Sequence, residues 1–89
     1  MKSRWDVCNE RLWEFSPSRF LEIGTKSGRG GWLIEADWRV GIDPHPAGDN
    51  SAYTSFYQGT SDDFFREQKG NLDIHVALVD GLHHADQVL

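Results

Sequence analysis

The residues with the clearest chemical potential fall in one stretch, Phe20-Leu21-Glu22-Ile23-Gly24-Thr25-Lys26-Ser27-Gly28-Arg29-Gly30-Gly31. A short apolar run carries an acidic residue near its end, and Gly24, Gly28 and Gly31 follow on the way into a helix-like segment. Glycines in such a turn remove the Cβ atoms that would keep a ligand off the backbone, and they admit positive φ. A carboxylate at Glu22, at the strand end and pointing into the crevice, repels phosphate and favours ligand hydroxyl or ammonium donors. A second carboxylate, Asp43, ends the run Arg39-Val40-Gly41-Ile42, 19 residues after Gly24. At the tip of a strand it can accept two hydrogen bonds from a ribose diol. The plainer reading stays open: the same glycines would also let a helix pack tightly on a strand with no ligand involved.

These residues need a frame. Trp5, Cys8, Leu12 and Phe15 recur three and four apart, which predicts a helix over 4–15 with one apolar stripe. Ser16-Pro17-Ser18 ends it, because a residue before proline avoids the α region. Strands are predicted at 20–23, 39–43, 53–57 and 74–79. Helices are predicted at 29–36, with Trp32, Leu33 and Ala36 facing inward, and at 61–68. Thr60 or Ser61 caps the latter, with Asp62 and Asp63 near its positive end. Pro44 and Pro46 stop the second strand, 47–52 is a loop, and a last helix begins at 82. Strands separated by helices or long connections imply an α/β fold with a parallel sheet and right-handed crossovers. The first two strands belong at the centre, the third outside the second, and the fourth on the far side of the first. That order, 3-2-1-4, opens a ligand crevice where the chain changes direction beside the first strand.

The chain has 89 residues, enough for one domain, here a leading helix at 1–16 and a sheet-forming part at 18–89. The net charge of −5, without a basic stripe, argues against nucleic acid as partner. No apolar run approaches the ~20 residues that span a bilayer, and Met1-Lys2-Ser3-Arg4-Trp5-Asp6 lacks a signal-peptide core. Cys8 is the single cysteine, which excludes an internal disulfide and suits a reducing, cytoplasmic setting. The last segment, Ala85-Asp86-Gln87-Val88-Leu89, has no stop signal, so the chain reads as the N-terminal portion of a larger domain. The alternative is a small domain completed by self-association, as a homodimer through its exposed sheet edge.

Four segments in order, Leu21-Glu22-Ile23-Gly24 with its turn, Val40-Gly41-Ile42-Asp43, Gln58-Gly59-Thr60-Ser61-Asp62-Asp63 and Ala77-Leu78-Val79-Asp80-Gly81-Leu82-His83, resemble successive motifs of class I S-adenosylmethionine-dependent methyltransferases. They are most like the branch of sugar and macrolide O-methyltransferases and cephalosporin-hydroxylase-like proteins. The resemblance spans about 18–89 and covers the first half of a domain that normally has seven strands. It implies a Rossmann-like partial three-layer sandwich, truncated before the C-terminal strands. It further implies methyl transfer to an oxygen of a small-molecule substrate in the full-length enzyme. Glu22 and the turn at Gly24, Thr25 and Gly28 would hold the methionine part of S-adenosylmethionine. Asp43 would bind its ribose, and Ser61 with Asp62 would lie near adenine, Asp63 being the register-shifted alternative. Asp80 would be one ligand of a magnesium ion, and His83 the general base. The sequence ends before the remaining metal ligands of that family, so weak cofactor binding and no turnover are expected of this chain alone. Two other classes compete. One is an NAD(P)-binding oxidoreductase fragment, disfavoured by Glu22 and by the spacing Gly24-x3-Gly28-x2-Gly31. The other is a non-catalytic domain that self-associates.

Overall fold

The computed structural model of the protein describes residues 2–68 and 70–79. Helix α1 (Arg4–Leu12) starts at a reciprocal cap. The Ser3 hydroxyl accepts the Asp6 amide, and the Asp6 carboxylate accepts the Ser3 amide. Cys8 and Leu12 of its stripe are buried. The helix stops before Phe15, which instead stacks its ring on His75 with centroids 4.0 Å apart.

Four parallel strands follow, β1 (Arg19–Ile23), β2 (Trp38–Ile42), β3 (Ser55–Tyr57) and β4 (Val76–Val79). They form one sheet in the order β3-β2-β1-β4, as the connection rules predict. Glu22 is in register with Gly41 on one side and Leu78 on the other. Alternation along the strands divides the core in two. Phe20 joins Cys8, Leu12 and Ile34 on the face covered by α1. Leu21, Val40 and Ile42 pack on the opposite face with Phe64 from α3 (Ser61–Glu67). Each such side chain contributes roughly 1.5–3 kcal/mol by leaving water.

Helix α2 (Arg29–Leu33) corrects the expected 29–36, and its orientation corrects the expected inward face. Trp32 is 63% exposed and Leu33 37%, while Gly30 and Gly31 are buried. The reason is space. A Cβ on Gly30 would overlap the Glu22 carboxylate, and one on Gly31 would lie 3.0 Å from the Tyr53 ring. The helix therefore presents its bare side to the sheet. Strand β3 is shorter than the expected 53–57, because Tyr53 leaves the sheet edge to fill that space. Likewise β4 begins two residues later than expected, and His75 precedes it, its Nδ1 accepting the Arg19 amide at 3.0 Å. Helix α3 forms where predicted, with the Thr60 hydroxyl accepting the Asp63 amide at 3.1 Å. The helix predicted from 82 lies outside the described residues. No described helix is long and apolar enough to cross a membrane.

At the rim where the strands begin, Ser18 and Asp37 clasp each other. Asp37 Oδ2 accepts the Ser18 amide at 2.7 Å, and Ser18 Oγ accepts the Asp37 amide at 3.0 Å. Asn9 ties α1 to the end of α2, donating to the Leu33 carbonyl and accepting the Glu35 amide.

Candidate functional site

The glycine turn leaves β1 at the crossover between its two neighbours, at the rim where the strands end. Gly24, Lys26 and Gly28 all have positive φ, 86°, 53° and 83°. Lys26 is not a glycine, so this conformation costs on the order of 1 kcal/mol. Asp43 offsets that strain. Its Oδ2 accepts the Lys26 amide at 2.8 Å, and its Oδ1 accepts the His45 amide at 2.8 Å. The carboxylate at the tip of β2 thus fixes the turn after β1, and its remaining lone pairs are acceptors. Asp43 is 7% exposed. Its backbone carbonyl accepts the Gly59 amide at 3.2 Å, which brings Thr60, Ser61 and Asp62 to the same rim. Ser61 is half-buried and Asp62 exposed in the first turn of α3.

Glu22 sits differently from the sequence expectation. It is 2% exposed and lies on the α1 side of the sheet, beneath Gly30 and the Trp5 ring, rather than open to a crevice. Its carboxylate accepts a short hydrogen bond from the Tyr53 hydroxyl. The Tyr53 ring is held between Gly31 and Gly41, each within about 3 Å of it at the Cβ position. Burial, then the hydrogen bond to Glu22 and its negative charge, push the Tyr53 phenol well above the ordinary tyrosine value. Burial first and Glu22 second also push the Cys8 thiol up, which makes it an inert core group, as its place on the helix stripe suggested.

The cradle over the turn is filled by the chain itself. A Cβ on Gly28 would overlap the Asp49 carbonyl oxygen, and one on Gly48 would lie 2.7 Å from the Ser27 carbonyl oxygen. The Ala47 amide donates to the Lys26 carbonyl at 2.9 Å. Yet two buried polar atoms have no hydrogen-bond partner among the described residues: Asn50 Oδ1, at this contact, and Thr25 Oγ1, on a side chain that packs against Gly41 beside the Tyr53 ring. Thr25 is 4% exposed. An unmet buried acceptor or donor costs about 1–3 kcal/mol, and a bound donor or water would relieve it.

The structure therefore brings together Gly24, Thr25, Gly28, Asp43 and the Ser61–Asp62 turn, and it sets Glu22 one layer below them. Asp80 and His83 lie outside the described residues. Among the described residues no group of three acidic, histidine or cysteine side chains could hold a metal ion. Tyr53 and Asn50 were missed by the sequence reading. The available signal for Tyr53 was a lone carboxylate in an apolar strand, which demands a donor once buried. A concave region of about 520 Å³ lies elsewhere, on the α3 face between Leu21, Phe65, Ile74 and Ala77. His75 at its edge is committed to Arg19 and Phe15. No protein-family model, curated protein or solved structure matches this chain.

Proposed function

We propose that this chain is the S-adenosylmethionine-binding half of a Rossmann-like class I methyltransferase, serving methyl transfer to an oxygen of a small molecule. One observation carries the reading. A carboxylate at the tip of β2 is bonded to a strained glycine turn leaving β1, and the buried Thr25 hydroxyl in that turn has no partner among the described residues. Hydroxyl and ammonium donors suit that set of acceptors, and pyrophosphate does not. The polar atoms fit the cofactor. The space over Gly28 is taken by residues 47–50, which would have to move aside for it.

In this reading Asp43 accepts the ribose hydroxyls, Thr25 and the turn backbone hold the methionine part, and Ser61 and Asp62 border the adenine. Glu22 acts from below, holding Tyr53 and adding negative charge under an ammonium group. The cofactor supplies an electrophilic sulfonium methyl, and the protein's task is to orient it for in-line attack. His83 as base and Asp80 as a magnesium ligand belong to the same proposal.

Isothermal titration with S-adenosylmethionine and S-adenosylhomocysteine tests it. Saturable binding is expected, with no binding of NADH, and Thr25→Val should weaken it at least several-fold while leaving the protein folded. Unchanged binding by a folded Glu22→Ala/Asp43→Ala variant overturns the assignment. A second reading has its own support: the seats at Gly28 and Gly48 are taken by the chain's own backbone. On that reading the turn is a packing device, and neither cofactor nor NADH produces heat.

A further inference from the structure

The segment 47–50 occupies the place a ligand would need, and it is held lightly there. Both of its ends are anchored. Asp43 accepts the Lys26 and His45 amides on one side, and Tyr53 is clamped by Gly31, Gly41 and Glu22 on the other. Between the anchors, Ala47, Gly48 and Asp49 are exposed and Asn50 is half-buried, so no large apolar side chain fastens the segment. The Ala47 amide reaches the Lys26 carbonyl, and Asp49 Oδ1 accepts the Ser51 amide at 2.9 Å, shaping the segment from within. Against these contacts stands the buried Asn50 Oδ1, which has no hydrogen-bond partner among the described residues. Segments with few buried apolar contacts open at low free energy.

We infer that residues 47–50 form a displaceable strap, which rests on the glycine turn in the free protein and is lifted when a nucleoside bearing an amino acid binds. This rests on the proposed cofactor site. Closed, the strap puts the Asp49 carbonyl where the ligand must approach Gly28. Opened, it gives up the Ala47–Lys26 hydrogen bond, bares the backbone at Gly28 and lets Asn50 Oδ1 accept from a ligand donor. The anchors at Asp43 and Tyr53 stay in place, so the motion is local. The strap lowers apparent affinity in proportion to the fraction of time it is closed.

Amide exchange of the full chain, followed by NMR with and without S-adenosylhomocysteine, tests the inference. The Ala47 amide should lose protection when the ligand saturates the protein, while the Lys26 amide on Asp43 keeps its own. Gly48→Ala crowds the Ser27 carbonyl and so opens the strap, and it should bind the ligand about three- to tenfold tighter. Asp49→Ala, which removes the internal bond to Ser51 at an exposed position, should act in the same direction and serves if Gly48→Ala fails to fold. Ligand binding with unchanged Ala47 protection, and no gain in either variant, overturns the strap and leaves the cofactor site standing. Absence of binding in the wild type and in both variants overturns the cofactor site, and the strap with it.

Discussion

Where the strands begin, Ser18, Asp37, Arg19 and His75 bond to one another, and the amides of Ser18, Arg19, Asp37 and His75 all have partners. Where they end, Asp43 holds a turn with a left-handed lysine, and two buried polar atoms nearby have no partner among the described residues. The first rim also has an orphan, Arg39 Nε, but it sits on a guanidinium whose Nη1 bonds the Ile34 carbonyl. Each rim carries one left-handed non-glycine residue, Lys26 where the strands end and Asp73, φ 53°, ahead of β4 at the other, but two of the three orphaned buried atoms among the described residues lie where the strands end. Unpaired buried groups are costly, so the rim with two of them has more to gain from a ligand donor.

The sharpest way to break this contrast is at the layer beneath the second rim. Tyr53→Phe removes the donor to a carboxylate that is 2% exposed, and it should cost about 1–3 kcal/mol in urea unfolding. The same group gives a pH signature. The Tyr53 phenol is raised above its ordinary value of 10.0, because the fold favours the neutral form. Its contribution is therefore complete below pH 10 and fades as pH climbs from there toward the raised value. Wild-type stability should fall in that alkaline range, and Tyr53→Phe should flatten the fall. Tyr57→Phe is the comparison: its phenol is raised too, by the hydrogen bond to the exposed Glu67, but at a solvent-screened position, so its effect on the slope should be the smaller. An unaltered alkaline slope in Tyr53→Phe would show that the hydroxyl is not buried on Glu22.

Next in size, Asp37→Ala at the opposite rim leaves the buried Ser18 amide without its acceptor, for a loss of about 1–2 kcal/mol by thermal melting. Ligand binding should not change. Thr25→Val carries the opposite sign. It removes a buried hydroxyl that has no hydrogen-bond partner among the described residues, so stability should rise by about 1 kcal/mol while ligand binding weakens. A loss of stability in Thr25→Val equal to that in Asp37→Ala would erase the difference between the rims. The smallest effect is expected from Arg66→Ala. Its ion pair with Asp63 spans 2.9 Å, but the side chains are 74% and 50% exposed, and such pairs contribute about 0.5 kcal/mol or less.

Much of the frame could be read before any coordinates. Period-3.6 spacing located α1, the prolines bounded β2, Thr60 announced α3, and connection rules ordered the strands. Each of these signals is local, or follows from chain connectivity. The errors share one cause. Apolar character predicts Trp32 and Leu33 in the core, and aromatic preference predicts Tyr53 in a strand. Both expectations gave way to a single long-range contact, the buried Glu22 carboxylate seeking a hydroxyl 31 residues away. That contact claims the space above Gly41 and beneath Gly31, so the helix turns its glycines inward and its tryptophan out.

The sequence by itself determined which residues carry charge at the strand ends, where the backbone is bare, and how four strands must be ordered. Only the tertiary structure decided that Asp43 bonds the turn, that Glu22 lies under it rather than beside it, and that residues 47–50 rest in the cradle. Those outcomes depend on which buried polar group reaches which partner, and pairing across tens of residues leaves no periodic trace in the chain.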